Sequence, residues 1–240
     1  MSRLADMPDP APAATQTALE RAVQALEEDI VLGRLHPRER LIEDDLMQRF
    51  DLKRHAVREL LVELARLGLA ERRKNIGSEV RSFAPREVVE LYEMRELLET
   101  QAARLVPCPA EPAALQALID IQRGHDAAVD AEDPRQVFRN NLRFHQALFG
   151  MCGNTVLVRA IQEYARQTHP IRFGTLVTSE YRRRARHEHW AIIEALRDGR
   201  RDDLVALCRA HLQPSRDAYL AANRHLADFR SLKTIAPETP

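Results

Sequence analysis

The apolar residues between positions 42 and 67 fall into two short helical patterns joined by a polar turn. In the first pattern Leu46, Phe50 and Leu52 stand among charged residues. In the second pattern the apolar residues recur at helical spacing: Val57, Leu60, Leu61, Leu64 and Leu67. Such spacing is typical of helices that bury one face. The sequence therefore predicts two amphipathic helices that are close together in the chain.

The segment after the second pattern has the features of a β-hairpin. Gly68 is suited to end a helix, residues 69–73 predict a short strand, residues 74–77 a turn and residues 78–81 the return strand. Two helices followed by a small hairpin are the elements of a winged helix-turn-helix, in which one helix enters the major groove of DNA. The sequence therefore predicts this fold over residues 16–83.

Charge is distributed unevenly within this predicted domain. Residues 15–83 contain thirteen Lys and Arg and thirteen Asp and Glu, so net charge gives no argument for nucleic-acid binding. Acidic residues cluster at 27–29 and 43–45, whereas basic residues cluster at 53–58 and 72–74. A solvated helical face would also explain the basic residues. Their segregation onto the second helix and the hairpin favours a surface that meets DNA phosphates, with binding that salt weakens.

Five short segments of this domain occur in the order of a known pattern: residues 33–38, 40–43, 53–60, 68–71 and 77–80. On these segments the domain resembles the GntR family of bacterial transcription regulators. It departs from the pattern where Arg38 replaces a Gly, and where Lys53 and Ala56 replace the Ser and Pro of the recognition turn. The resemblance implies DNA contacts by Lys53, Arg54, His55, Arg58 and Gly77. The predicted contact surface also includes Arg72, Arg73 and Lys74 on the wing, and Arg49.

Proline and glycine residues divide the rest of the chain into six helical patterns. These lie near residues 85–106, 112–131, 134–151, 154–172, 179–199 and 202–226. The predicted fold class is mainly α, with a winged helix-turn-helix and its small β wing over residues 16–83. An antiparallel bundle of six or seven helices follows over residues 84–228. Residues 1–15 and 229–240 are expected to be disordered tails.

Histidines occupy the inward face of three predicted bundle helices. His145 follows Asn141 by one helical turn, and His189 and His211 lie on the apolar stripes of two other helices. One inward histidine is usually an ordinary core residue with a hydrogen-bond partner. Three on different helices favour a shared partner, and a divalent metal ion can bind all three imidazoles at once.

The bundle also carries a second known pattern, whose marks are residues 91–99, 144–145, 153–157, 188–196 and 211–212. On them the bundle resembles the FCD effector domain of the FadR-like branch of GntR regulators. The resemblance implies a divalent metal ion such as Zn, Ni or Mn, bound by Asn141, His145, His189 and His211. It also implies that these four residues and Arg95 bind the effector.

Asn141 departs from the family's metal site, in which an Asp stands. An amide and three neutral imidazoles leave the charge of the ion without an anionic ligand. Metal binding should therefore be weak alone and tighter with a small carboxylate effector bound to the ion. The alternative is a metal-free polar cavity lined by the same groups. The basic run 182–186 is expected to be a solvated or interface face, and Glu188 lies one step off the inward stripe.

Composition sets the context of these motifs. The chain has 240 residues, 45% of them hydrophobic, which is enough for two domains with sizeable cores. Cys108, Cys152 and Cys208 have no CxxC spacing, which suits reduced thiols in the cytoplasm. No stretch approaches the ~20 apolar residues of a membrane span. The N-terminal segment lacks the apolar core of a signal peptide.

These features predict a ligand-responsive transcription regulator, with a repressor expected and an activator left open. One winged-helix domain covers only a half-site, so we expect a homodimer on pseudo-palindromic double-stranded operator DNA, controlled by a small carboxylate. No membrane partner and no enzyme activity are expected. The alternative is a metal-dependent hydrolase, since a three-histidine site can activate water. The inward stripes, however, offer no carboxylate placed to take a proton.

Overall fold

The computed structural model describes residues 16–74, 76–176 and 178–223, with the side chains of 173–176 excluded. The two expected tails, 1–15 and 229–240, lie outside these residues. The winged-helix domain consists of α1 (Ala18–Val31), β1 (Arg40–Leu41), α2 (Glu43–Phe50), α3 (Arg54–Arg66), β2 (Ala70–Arg73) and β3 (Gly77–Val80). The bundle consists of α4 (Pro85–Leu105), α5 (Pro112–Asp130), α6 (Pro134–Gly150), α7 (Thr155–Gln167), α8 (His169–Leu176), α9 (Ser179–Arg197) and α10 (Arg201–Ala222).

Local side-chain chemistry explains where several of these helices begin and end. Thr17 and Glu20 form a reciprocal capping box at the start of α1. The side chains of Asp133 and Asn154 accept hydrogen bonds from the first turns of α6 and α7. Helix α2 ends at Asp51, which adopts the left-handed conformation with φ of 51°. These caps satisfy backbone groups that a helix end would otherwise leave unpaired.

The wing is a small antiparallel sheet with strand order β1-β3-β2. The hairpin of β2 and β3 confirms the strands predicted from the sequence, and Arg73 pairs with Gly77 where the chain reverses. Strand β1 was not predicted, because two residues are too few to show an alternating pattern. It pairs with β3 through Arg40 and Glu79. The mainly helical fold class with a small wing is thus confirmed.

The fourth predicted bundle helix is divided in two at Thr168. Its hydroxyl donates to the carbonyl of Ala165 at 2.7 Å. Two residues later Pro170 has no N–H to donate to the carbonyl of Arg166, so α7 cannot continue through this point. The break gives seven helices in the described part of the bundle, and it turns His169 toward the winged-helix domain.

Each domain has its own apolar core, and a small third cluster joins them. Leu26, Leu60 and Leu64 are fully buried at the centre of the winged-helix domain. Phe144 and Leu148 are fully buried at the centre of the bundle. A separate cluster packs Val31 at the end of α1 against residues of α5 and α6 such as Val129 and Phe138. Among the described residues, no helix combines the length and the apolar character needed to cross a membrane.

Candidate histidine site, interdomain junction and DNA-binding surface

Three bundle helices bring the predicted histidines together. The Nε2 atoms of His145 on α6 and His211 on α10 are 3.2 Å apart. One ring nitrogen from each of His145, His189 and His211 lies within 4.8 Å of the others. His189 is fully buried on α9. The sequence-based grouping of these histidines therefore agrees with the geometry.

Two neighbouring side chains orient the rings of His189 and His211. The amide oxygen of Gln122 on α5 lies 2.8 Å from Nδ1 of His189. The carboxylate of Glu188 lies 2.6 Å from Nδ1 of His211. Because both oxygens accept hydrogen bonds, Nδ1 of each ring is the donor, which leaves Nε2 of each ring for another partner. Metal-ligating histidines commonly donate their second N–H to a carbonyl or carboxylate in this way.

The donor set fits a divalent transition-metal ion. Zinc binds imidazole nitrogens at 2.0–2.1 Å in tetrahedral geometry, so two such nitrogens are about 3.3 Å apart. The 3.2 Å separation between His145 and His211 is close to this value. Nε2 of the buried His189 has no hydrogen-bond partner among the described residues. A metal ion would satisfy this atom, which is otherwise costly to bury.

The position of Glu188 corrects the sequence-based argument that no negative charge lies near the proposed ion. It was placed off the inward stripe, yet its carboxylate touches a histidine on the neighbouring helix. Burial raises the pKa of Glu188, but the hydrogen bond to His211 and the nearby Arg184 outweigh this and hold the pKa below its ordinary value. Glu188 is therefore ionised beside the three imidazoles, and the site is not without a negative charge.

Burial governs the protonation of the histidine rings themselves. It lowers the pKa of His145 and His189 well below the ordinary value, and the proximity of His211 lowers both further. Neutral imidazole is the form that binds metal ions. The surroundings of the site thus favour the ligating form of both rings.

Asn141 and His211 line one small cavity of about 50 Å³ beside the histidines. Asn141 is buried, and its Nδ2 atom has no hydrogen-bond partner in the described structure. Arg172 and Arg182 line the same cavity. Burial, followed by the charge of Arg95, lowers the pKa of Arg172 to about 10, which leaves it cationic at neutral pH. The cavity is therefore lined both by proposed metal ligands and by positively charged arginine side chains.

Three residues in or near this cavity differ from the sequence-based assignment. Arg95 was predicted to bind effector, but it is buried against Glu99 at 2.9 Å and does not line the cavity. Arg182 was included in a solvated basic run, but it is buried and lines the cavity. Arg172 was not singled out at all. The pattern along one helix does not reveal which arginine turns toward a cavity formed by several helices.

His125 was also missed by the sequence analysis. It lies on α5, is fully buried, and its ring centre is 5.0 Å from that of His189. Burial lowers its pKa to about 4, and its Nε2 atom has no hydrogen-bond partner in the described structure. The available signal was the pair Gln122 and His125, whose spacing of three residues puts both on one helical face.

A second group of charged residues lies where α1 meets the bundle. Glu28 is buried, and its carboxylate accepts a hydrogen bond from Nε of Arg139 at 2.6 Å and forms an ion pair with Nε of Arg135 at 2.7 Å. Both arginines are on α6, the helix that also carries His145. The winged-helix domain and the histidine site are therefore attached to the same helix.

The neighbours of Glu28 make ion pairs in other directions. Glu27 accepts a hydrogen bond from Nδ1 of the buried His169 at 2.8 Å and lies 3.3 Å from Nε of Arg166. Burial raises the pKa of Glu27, but His169 and Arg166 outweigh it and hold that pKa below the ordinary value. Asp29 pairs with Arg34 and Arg49. Arg49, predicted to contact DNA, thus has a partner within its own domain.

Helix α3, the predicted recognition helix, exposes the residues predicted to contact DNA. Lys53 is the residue before its first turn, and Arg54, His55 and Arg58 follow. The side chains of Arg54 and Arg58 are 53% and 65% exposed. Both pair with Glu43 at the start of α2. Exposed pairs of this kind are weak, so DNA phosphates can replace the carboxylate.

The wing presents a second basic surface. Arg72 and Lys74 are exposed, and Arg73 pairs with Glu71 and Glu79. Gly77 has φ of 98°, and open space surrounds the position that a Cβ atom would occupy. Glycine is favoured there by the backbone conformation, and the space permits close approach of DNA.

Comparison with known proteins identifies both domains. Residues 18–80 match the gntR family of bacterial regulatory proteins, and residues 90–214 match the FCD domain. The chain belongs to the GntR family, with an FCD domain. The Nta operon transcriptional regulator of Aminobacter aminovorans is 27% identical over 184 residues, which cover 77% of this chain and 86% of the relative.

Solved structures agree on the fold. Escherichia coli McbR/YncC superposes with a TM-score of 0.74 at 18% identity, covering 87% of this chain and 99% of that protein. A GntR transcriptional regulator from Rhodococcus sp. RHA1 gives 0.71 at 21% identity, covering 86% and 99%. The family consists of DNA-binding transcription regulators rather than enzymes. The hydrolase considered from the sequence is therefore set aside.

Proposed function

We propose that this chain is a ligand-responsive repressor that binds a pseudo-palindromic operator as a homodimer in the cytoplasm. The observation that carries the proposal is the position of α6. This helix contributes Asn141 to the cavity beside the histidines and His145 to the histidine cluster itself. It also contributes Arg135 and Arg139 to the ion pairs with Glu28 of the winged-helix domain. A ligand that moves α6 by a fraction of a helical turn would act on both ends of that connection.

The effector that we propose is a small organic carboxylate bound together with a divalent ion such as Zn, Ni or Mn. His145, His189 and His211 would supply imidazole nitrogens to the ion, with Asn141 as a neutral oxygen ligand. The cationic Arg172 supports an anionic ligand in the same cavity. A metal-free cavity that binds the carboxylate by hydrogen bonds is the second possibility, and metal analysis of the purified protein distinguishes them.

An exposed apolar stripe supports the proposed homodimer. Met94, Leu97 and Leu105 are on α4, and Val156 is at the start of α7, which packs on α4. The side chains of Leu97 and Val156 are about two thirds exposed. Clustered apolar residues at a surface commonly mark a protein interface. A Leu97→Glu variant should therefore shift the protein from dimer to monomer in light scattering, and a parent that is already monomeric on DNA would exclude the dimer.

Operator binding tests the central proposal. Fluorescence anisotropy with the DNA upstream of the protein's own operon should give specific binding, and Arg54→Ala and Arg58→Ala should each weaken it by roughly 5- to 150-fold, equivalent to about 1–3 kcal/mol for a base contact. Arg66→Ala is the matched control, because Arg66 is exposed at the far end of α3 and pairs locally with Glu63. Equal binding by all three variants would contradict the assignment of α3 as the recognition helix.

The response to ligand is tested on the same DNA. Zinc together with a panel of small organic acids should release the operator from the parent protein, whereas zinc alone should have little effect. The release should be lost in His189→Ala, whose ring is proposed to bind the ion. If no acid changes the operator affinity, with or without metal, the proposed effector is wrong, although the protein would still be a DNA-binding protein.

A further inference from the structure

A second cavity, of about 210 Å³, lies between α6 and α7. Of the histidine triad it is lined only by His145, and it shares no lining residue with the cavity beside Asn141. The residues that line it are Leu142, His145, Gln146, Phe149, Val158, Ile161, Gln162, Ala165, Arg166 and His169. Its volume is below the range of about 300–1,000 Å³ that drug-sized ligands occupy, so it suits a smaller molecule.

The lining has an apolar part and a polar part. Leu142, Phe149, Val158 and Ile161 supply aliphatic and aromatic surface. The polar groups are carboxamides, imidazoles and the guanidinium of Arg166, and no acidic side chain lines the cavity. An apolar body with a negatively charged group would complement both parts.

Arg166 is in a position to bind such a charged group. Its Nε atom is 3.3 Å from Glu27, which is longer than the about 2.7–2.9 Å of a strong charge-assisted hydrogen bond. Its side chain is 46% exposed, and a guanidinium carries five N–H donors. An incoming anion can therefore bind Arg166 without first burying it or displacing a tight partner.

The cavity also has a route of entry. Leu142, Gln146 and Arg166 line both this cavity and the groove between the two domains, whose other wall includes Glu27 and Val62. A ligand can thus enter from the groove with its apolar end first and leave its charged end beside Arg166. Its charged end would then lie next to Glu27 of α1.

We propose that the cavity between α6 and α7 is a second ligand site, which takes an amphipathic organic anion independently of metal. The apolar body lies between the two helices, and the anionic group binds Arg166. Binding draws Arg166 away from Glu27, so that the Glu27 carboxylate keeps only its contact with His169. The second site therefore acts on the junction directly, whereas the histidine cavity acts through α6.

Isothermal titration of the full, chelator-treated chain with 4-phenylbutyrate tests the proposal without DNA or metal. Two matched compounds separate the contributions: 4-phenylbutan-1-ol has the apolar body without the charge, and butyrate has the charge with little apolar body. We expect 4-phenylbutyrate to bind at one site per chain, roughly three- to tenfold more tightly than the alcohol, as for one partly exposed ion pair, and butyrate to bind too weakly to measure.

Variants locate the site. Arg166→Gln should remove the advantage of 4-phenylbutyrate over the alcohol, whereas Arg159→Gln, on the exposed face of α7, should keep it. Ala165→Phe should fill the cavity and abolish binding of both compounds. Gln162→Trp should also obstruct the cavity. Because Gln162 is exposed, this variant is the alternative if Ala165→Phe does not fold.

Two results would overturn the proposal. The first is equal affinity for the acid and the alcohol, or a difference between them that survives Arg166→Gln. The second is binding that requires added zinc, which would put the compound in the histidine cavity instead. Because no operator is present, neither result depends on whether the chain represses transcription.

Discussion

Replacing Glu188 separates the charge of this carboxylate from its hydrogen bond. Glu188→Gln keeps an oxygen that can accept the Nδ1 proton of His211, but it removes the negative charge from beside the proposed ion. Glu188→Leu removes both the charge and the acceptor. Zinc affinity should therefore fall in the order parent, Glu188→Gln, Glu188→Leu.

The expected magnitude follows from the contacts of Glu188. Loss of a side chain that orients a metal-ligating histidine costs roughly 10- to 100-fold in metal affinity, or about 1.4–2.7 kcal/mol. Glu188 also accepts a hydrogen bond from Arg184 at 2.7 Å, so part of its charge is already balanced. We therefore expect Glu188→Gln near the tenfold end and Glu188→Leu near the hundredfold end.

Competition against a fluorescent zinc chelator measures these affinities in the absence of DNA. Glu194→Gln provides the control, because Glu194 is exposed on the same helix and contributes no contact to the histidine site. Affinities that are the same for the parent and both Glu188 variants would refute the reasoning that this carboxylate supports the ion. A parent that binds no zinc would favour the metal-free cavity.

Three further predictions concern the histidine site and the domain junction. Asn141→Asp should raise zinc affinity by adding a charged ligand and should weaken its dependence on a carboxylate; calorimetry that finds no gain would argue against Asn141 as a ligand. Glu28→Gln should lower the free energy of unfolding in urea by about 2–3 kcal/mol, since it weakens the charge-assisted hydrogen bond from Arg139 and the ion pair with Arg135 at a buried carboxylate. Glu90→Gln, which loses one exposed pair, should cost less than about 1 kcal/mol, and equal losses would contradict a structural role for Glu28. Stability should also fall as the pH drops below about 6.5, because burial keeps the pKa of His169 low in the folded chain and the unfolded chain takes up the proton first. This histidine contributes up to about 1.4 kcal/mol per pH unit, so His169→Gln should flatten the pH profile, and an unchanged slope would contradict the argument.

The winged-helix domain could be predicted because its signals are local. The apolar spacing of α3 and the glycines at positions 68 and 77 specify a helix, its end and a hairpin within a short stretch of chain. Strand β1 was missed because its two residues become a strand only by pairing with β3. The break at Thr168 had a local signal in Pro170, which the longer apolar pattern masked.

The histidine site could be predicted only in part. The spacing along each helix is enough to turn His145, His189 and His211 inward, and they do meet. The roles of Gln122 and Glu188 depend on contacts between different helices, which no single helical pattern records. The same limit explains why the sequence showed residues 27–29 only as an acidic cluster, whereas the structure buries Glu27 and Glu28 against partners on the bundle.

The three acidic residues at the end of α1 fix the rotation of that helix about its own axis. Consecutive side chains of an α-helix leave it about 100° apart, so Glu27, Glu28 and Asp29 span about 200° of its circumference. Each has partners on a different part of the chain. A turn of α1 about its axis would strain all of these pairs together. Since α3 shares a core with α1, these ion pairs also restrict the direction in which the predicted recognition helix faces.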